Sequence, residues 1–248
     1  MLIDNRIAKI SLSKEQIAKI CHRKFGVGAD GVILIDNDQR TNFSITYINP
    51  DGSESLCGNG CRTAVDLASK LGMTIAPKPD MQEKISFNAY DGIHQAEILS
   101  DGQIKIQMNP VNAIEEVFDG YSMDTGSPHY VKFVSGLDEY PVFEEGRKMR
   151  YDKHFPKGTN ANYIEAKGKN AIALRTYERG VEDETMACGT GATASALAAS
   201  KKGYSSPVTV FTRGGVLTVD FKVRPVGQYY DIYLTGPARL VFEGELDL

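Results

Sequence analysis

The chain has no excess of positive charge and no lysine- or arginine-rich run. Its 28 basic residues face 32 acidic ones, for a formal net charge of −4 and a pI near 5.6. No nucleic-acid partner is therefore expected, nor a membrane surface held by basic residues. There is also no uncharged apolar run of the roughly 18 residues that a membrane span requires. The first residues, Met1-Leu2-Ile3-Asp4-Asn5-Arg6, lack the apolar core of a signal peptide, so the expected location is the cytoplasm. Only four cysteines are present, Cys21, Cys57, Cys61 and Cys188, and in that compartment the expected state is the free thiol rather than a disulfide. Cys57 and Cys61 have C-x₃-C spacing, but no second Cys/His pair follows at finger-like spacing, so no metal is expected. The Gly26-Val27-Gly28-Ala29-Asp30-Gly31 turn lacks the Lys-Ser/Thr ending of a phosphate loop. No lysine stands in a context that argues for a pyridoxal Schiff base. There is no low-complexity tract and no long linker.

What is present is a repeated turn. Cys57-Gly58-Asn59-Gly60 and Cys188-Gly189-Thr190-Gly191 occur one in each half of the chain, each opening a stretch of small, helix-compatible residues. A cysteine just before a helix start lies among unpaired N–H groups at the positive end of the helix dipole, which favours thiolate over thiol. The 248 residues, 42% hydrophobic, suffice for one large domain or two of about 120 residues, each with its own core.

Elements of two kinds alternate along the chain. Ser13 to Ile20 combines a capping residue, an early acid and spaced aliphatics, and predicts a helix ending near Phe25-Gly26. Val32–Ile35 and Phe43–Ile48 read as strands, with Asn49-Pro50-Asp51-Gly52 as the turn leading to the first cysteine. A helix is predicted from about Cys61 to Leu71, capped by Gly72. Lys84–Phe87 and Gln103–Met108 alternate as antiparallel strands do, and Asn109-Pro110 ends them. In the second half, Tyr130–Val134, Tyr163–Ala166 and Ala171–Tyr177 read as strands. The second cysteine and an alanine-rich helix to about Lys202 follow, and then β-rich sequence to Leu234. The expected fold class is α+β. Two similar, pseudo-symmetric domains, residues 1–112 and 113–239 with the tail 240–248 returning to the first, would each wrap a mostly antiparallel sheet on a central helix, with the active site in the cleft between them.

Two thiols on opposite sides of a substrate suit inversion at carbon, because a proton must leave one face while another arrives at the other. The thiol pKa of about 8.5 can be drawn toward neutrality at a helix start. The N–H groups around Gly58-Asn59 and Gly189-Thr190 would bind a substrate carboxylate and stabilise charge that develops as the α-proton leaves.

The runs Asn49 to Arg62 and Tyr177 to Gly191 resemble the two signatures of diaminopimelate epimerase, in order and in context. Gly26–Gly31, Gly126-Ser127-Pro128-His129 and Thr159-Asn160-Ala161-Asn162 resemble further family segments, so the similarity covers nearly the whole chain. The resemblance implies a cofactor-independent interconversion of LL- and meso-2,6-diaminopimelate in lysine and peptidoglycan synthesis. It makes Cys57 and Cys188 the acid/base pair. Asn49, Asn160, Glu178 and Arg179 would hold the distal amino-acid end, with Arg179 a partner for its carboxylate. His129 and Glu178 fall where the family keeps polar residues near the reacting centre. The small-molecule amino-acid substrate is then the expected partner, and the resemblance also implies a homodimer.

The chain departs from the family pattern in three places. It begins at the residues just after a Gly-Asn-Asp-Phe turn, so one strand and one substrate-touching Asn are expected to be missing, and a misplaced start or a shortened chain is the expected reason. The segment between Asp51 and Cys57 is one residue shorter than the pattern. Ser127 stands where many members carry Asn, so one contact to the substrate's distal end is expected to differ. Cys21 and Cys61 read as small buried hydrophobes, His22, His94 and His154 as incidental, and Glu182-Asp183-Glu184 as a solvated acidic loop. Two residues keep plainer readings open: His129 as a capping or core residue, and Arg179 as the scaffold partner of Glu178. The rival functions are a racemase of proline, hydroxyproline or histidine, a substrate-binding homologue without turnover, and a Cys57–Cys188 redox switch.

Overall fold

A computed structural model describes residues 1–74 and 84–247. The chain divides into two compact units, Met1–Ile106 with Pro237–Leu248, and Gln107–Gly236. The first contains β1 (Leu2–Asp4), α1 (Lys14–Cys21), β2 (Val32–Asp36), β3 (Phe43–Ile48), α2 (Gly58–Lys70), β4 (Ile85–Ala89), β5 (Gly92–Ile98) and the start of β6 (Ile104–Met108), whose last two residues belong to the second. The second contains β7 (Glu115–Val117), β8 (Gly120–Asp124), β9 (Pro128–Phe133), a 3₁₀ turn (Leu137–Glu139), α3 (Val142–Arg150), β10 (Asn160–Gly168) and β11 (Ala171–Glu178). It continues with β12 (Asp183–Thr185), α4 (Gly189–Ser200), β13 (Val208–Thr212), β14 (Gly215–Val223) and β15 (Tyr229–Gly236).

One strand order serves both units. In the first, β1 and β2 are parallel, β2 and β3 antiparallel, β3 and β4 parallel, and β4–β5–β6 antiparallel. In the second, β9 and β10 are parallel, β10 and β11 antiparallel, β11 and β13 parallel, and β13–β14–β15 antiparallel. The helices follow suit: α1 and α3 connect the first parallel pair of each unit, α2 and α4 the second. The α+β class stands, with mixed sheets in which antiparallel pairs are the majority.

Each sheet is covered on both faces. Ile17, Ile20 and Cys21 of α1 pack on Val32 and Leu34 of β2, and Val142 of α3 joins Ala161, Tyr163 and Tyr177. The alternate residues of β2 point to α2: a Cβ on Gly60 would meet Ile33 Cδ1 at 2.8 Å. In the second unit a Cβ on Gly191 would run into Asn162 Oδ1. The helix start lies directly on the strand beneath it at both positions, so a methyl would have to displace the end of Ile33 in one unit and the hydrogen-bonded Asn162 amide in the other. Helix α4, from Gly189 to Ala199, is buried on every side, as its run of Ala, Gly, Thr and Ser allows.

Several elements differ from the sequence expectation. Helix α1 stops at Cys21; Ser13 is the capping residue and forms a capping box with Gln16, but His22 leaves the helical region and its Nδ1 accepts the N–H groups of Lys24 and Phe25. Helix α2 begins three residues earlier than read, at Gly58, because glycine-rich sequence hides a helix start. Strands β1, β5, β7, β8 and β12 and helix α3 lie outside the elements expected from the sequence; β1, β7 and β12 have three residues each, less than two periods of any pattern. The Glu182–Glu184 segment is no solvated loop: Glu184 bonds Arg175 and Arg213, and Glu182 accepts from Arg150 Nε, Tyr151 Oη and the Gly180 N–H. Three cationic side chains and a strand edge outweigh the solvation of three adjacent acids. Leu248, the end of the expected tail, lies outside the described residues. Among those described, no helix is long and apolar enough to cross a membrane.

Candidate active site

Cys57 and Cys188 are the N-cap residues of α2 and α4. Each has extended backbone angles and accepts the third N–H of its helix on sulfur: Gly60 N–H to Cys57 Sγ at 3.3 Å, Gly191 N–H to Cys188 Sγ at 3.4 Å. N-cap positions normally carry an oxygen acceptor. A sulfur placed there gains the same N–H group and the dipole field, both of which favour its anionic form. Cys57 is half-buried and Cys188 buried. Cys21 and Cys61 are also buried, and burial pushes the thiols of both above their ordinary value, Cys61 well above it.

In the first unit, Asn49 closes the turn that delivers Cys57. Its side-chain amide donates to Ser53 O at 3.0 Å and lies 3.1 Å from the hydroxyls of Ser53 and Ser55, while its Oδ1 has no partner among the described residues. In the first turn of α2, Asn59 Oδ1 accepts from Arg62 Nη2 at 2.8 Å and Gly58 O from Arg62 Nη1 at 3.3 Å.

In the second unit, hydrogen bonds join most of the expected residues. Strand pairing sets Asn160 beside His129, and period-2 alternation puts Asn162 on the same face of β10. Asn160 donates to Pro128 O at 2.9 Å and Ser127 Oγ at 3.2 Å, and its Oδ1 accepts the Arg179 N–H at 2.9 Å. Asn162 donates to Tyr130 O at 2.9 Å, with His129 Nδ1 at 3.0 Å, and its Oδ1 accepts from Thr176 Oγ1 at 3.0 Å. The backbone carbonyls fix which amide atom is which, since an amide oxygen turned toward them would be repelled. His129 Nδ1 is therefore an acceptor, and Nε2 carries the hydrogen and donates it to Ser127 Oγ, 3.0 Å away. With two donors on its oxygen, Ser127 directs its own hydrogen to Thr190 Oγ1 at 3.4 Å, and Thr190 then donates to Cys188 Sγ at 3.4 Å. The chain of hydroxyls thus runs one way, toward the sulfur.

The ring that starts it is neutral. His129 has 0% exposure, and burial, reinforced by the positive charge of Arg179, holds its pKa down to about 3. Glu178 accepts from Thr185 Oγ1 at 2.8 Å, and Arg179 Nη1 donates to Lys157 O at 3.2 Å. The sequence reading singled out neither Asn162 nor Arg62. Asn162 was marked by its polarity inside the apolar run Ala161–Ile164, and Arg62 by its charge within the small residues of α2. No cluster of three or more His, Cys, Asp or Glu among the described residues could hold a metal.

Residues 1–114 and 121–241 match the family model described as diaminopimelate epimerase. The chain belongs to the diaminopimelate epimerase family. A family member from Flavobacterium psychrophilum is 42% identical, over 98% of this chain and 94% of its own length. Members from Chlorobaculum tepidum and Aquifex aeolicus are 37% and 38% identical, over 100% and 99% of this chain and 97% and 93% of theirs. With these epimerases as relatives, the chain is an isomerase. The fold recurs in solved structures of low identity. A Bacillus anthracis PhzF-family phenazine biosynthesis protein has TM-score 0.67 at 17% identity, covering 95% of this chain and 89% of that one. A hydroxyproline epimerase from Agrobacterium vitis has TM-score 0.61 at 16%, covering 89% and 76%.

Proposed function

We propose that the chain interconverts LL- and meso-2,6-diaminopimelate by inversion at one α-carbon, with Cys57 and Cys188 as the two bases. The carrying observation is that each cysteine caps a helix whose first turn donates an N–H to its sulfur. One sulfur, as thiolate, takes the α-proton; the other, as thiol, gives its proton to the opposite face. The carbon is inverted and the protonation states of the two sulfurs are exchanged. No net proton is gained or lost, so no cofactor is required by the balance.

The first-turn N–H groups at Gly58-Asn59 and Gly189-Thr190 bind the α-carboxylate and take up the charge that spreads onto it as the C–H bond breaks. Asn49 Oδ1, which has no partner among the described residues, is suited to accept from a substrate ammonium. Asn160, Glu178 and Arg179 hold the distal end, where Arg179 matches a carboxylate. Ser127 and His129 serve through Thr190. Substrate binding by two N-capped helix starts is compatible with a cytoplasmic enzyme and a homodimer, and both belong to this reading.

The test is deuterium uptake at the α-carbon of LL-diaminopimelate in D₂O without added cofactor, for the wild type, Cys57→Ala and Cys188→Ala. The expected result is exchange with inversion in the wild type and loss of inversion in both variants. Inversion surviving in either folded variant overturns the two-base assignment; absence of exchange in the wild type overturns the substrate.

A further inference from the structure

Arg62 is a buried cation without an anion. It is 4% exposed, its Nε–H has no partner, and no carboxylate lies within ion-pair distance of it among the described residues. Its two other contacts are a carbonyl, Gly58 O, and an amide oxygen, Asn59 Oδ1. Both belong to the two residues that follow Cys57. Burying a guanidinium without a counter-charge is unfavourable, so an anion is expected in its neighbourhood.

The other half of the chain shows that anchoring this turn needs no charge. Thr193 stands at the position of α4 equivalent to Arg62, four residues after Gly189 as Arg62 is four after Gly58. Its hydroxyl donates to Gly189 O at 3.1 Å, as Arg62 Nη1 donates to Gly58 O. The same structural task is thus performed by a neutral hydroxyl in one unit and by a guanidinium in the other. What Arg62 adds is positive charge.

We propose that Arg62 is the counter-charge of Cys57, a positioning residue that stabilises its thiolate in the resting protein and holds Asn59 beside it. The proposal rests on the reading of Cys57 as an acid/base thiol and supplies what sets its protonation. Burial lowers the guanidinium to about 10, which leaves it charged at neutral pH, and the two thiols Cys57 and Cys61 are the groups that oppose this loss. The remaining titratable groups around this turn do not replace it. Cys61 stays a neutral thiol. Asp91 is bonded to His94 at 2.8 Å, Asp36 at the end of β2 to Asn5 and Lys9, and Asp30 to Arg23. The amino group of Met1 donates to Gly31 O, and burial lowers its pKa.

The experiment is the pH dependence of iodoacetamide alkylation of Cys57, followed by mass spectrometry of its peptide, in the full-length wild type, Arg62→Lys and Arg62→Thr. A neighbouring cation lowers a pKa by about one to three units. The wild-type midpoint is therefore expected below the ordinary thiol value of about 8.5. Arg62→Thr, which copies the neutral anchor of α4, is expected to raise the midpoint by about one unit, and Arg62→Lys to keep it within about half a unit. An unchanged midpoint in Arg62→Thr, or equal shifts in both variants, overturns the proposal. Should Arg62→Thr fail to fold, a wild-type midpoint at or above about 8.5 overturns it alone, and one below it together with an unshifted Arg62→Lys supports it. The readout needs no turnover, so it stands apart from the exchange assay on Cys57→Ala.

Discussion

Acidifying the protein should expose the cost of keeping His129 neutral. The ring is fully buried, donates from Nε2 to Ser127 and accepts from Asn162, and its pKa is held at about 3 against about 6.5 when exposed. The sign follows from linkage. The unfolded chain binds a proton at this site as pH falls through about 6.5, whereas the folded protein does not until about 3. Stability is fully present above about 6.5 and is lost progressively below it, at up to 1.36 kcal/mol per pH unit. Between about pH 7.5 and pH 5 the loss from this one site is about 2 kcal/mol. Urea unfolding at both pH values, for the wild type and for His129→Gln, isolates it, because glutamine does not titrate and all other groups are common to both. The wild type should lose about 2 kcal/mol more than the variant. In parallel, the His129 C2–H resonance, identified by its absence from His129→Gln, should not titrate above about pH 4. Equal losses in the two proteins, or a His129 midpoint near 6.5, would refute the buried neutral ring and the one-way hydrogen-bond chain deduced from it.

Ser127→Ala removes the oxygen on which His129 and Asn160 both donate and the hydroxyl aimed at Thr190. It should cost about 2 kcal/mol in thermal or urea unfolding, for buried donors left unpaired, and lower kcat about tenfold with little change in KM, read by the exchange assay. Gly191→Ala drives a methyl into Asn162 Oδ1 and should destabilise by about 1–3 kcal/mol, with loss of turnover because relieving the clash shifts the helix start whose residue-191 N–H donates to Cys188 Sγ; a folded, fully active variant would contradict the packing. Arg175→Met breaks a nearly buried pair with Glu184 and three bonds to the carbonyls of Leu137, Asp138 and Tyr140. The expected loss is about 3 kcal/mol, measured by urea unfolding, with Arg175→Lys recovering only part because the bidentate contact is lost.

The elements legible in the sequence were those that announce themselves locally. Ser13 with Glu15 and the spaced aliphatics after it, the alternation Phe43-Ser44-Ile45-Thr46, and the alanine-rich run after Cys188 each carry their own signal, and each forms the element read from it. Short strands do not: β1 and β12 span three residues apiece, less than two periods of any pattern. The acidic run Glu182–Glu184 shows why composition misleads, because its partners Arg150, Arg175 and Arg213 are brought in by tertiary structure. At the site, Cys57 and Cys188 stood out by residue type and motif, and His129 and Asn160 through the family resemblance. The direction of the hydrogen bonds among them could not, since it is fixed by the carbonyls of Pro128 and Tyr130 and by the Arg179 N–H.

The repeat in the sequence hides a chemical difference that only the strands beneath the helices bring out. At equivalent places under Gly60 and Gly191 lie Ile33 and Asn162, and at equivalent places within the helices lie Arg62 and Thr193. One cysteine is therefore set in an apolar layer with a buried cation at hand. The other is set above a neutral relay in which every hydroxyl hydrogen points to its sulfur. Charge acts through Coulomb attraction and is weakened little by small shifts in geometry, whereas a chain of hydroxyls works only while each member is aligned. It follows that conservative substitutions should be tolerated differently in the two halves. A lysine that keeps the charge should serve in place of Arg62, while a threonine at Ser127, which keeps the hydroxyl but adds a methyl beside Asn160 and Thr190, should impair the Cys188 side. The two thiols can then have unequal affinities for a proton although their local motifs match, which would let an epimerase acting between two different diastereomers hold one resting protonation state.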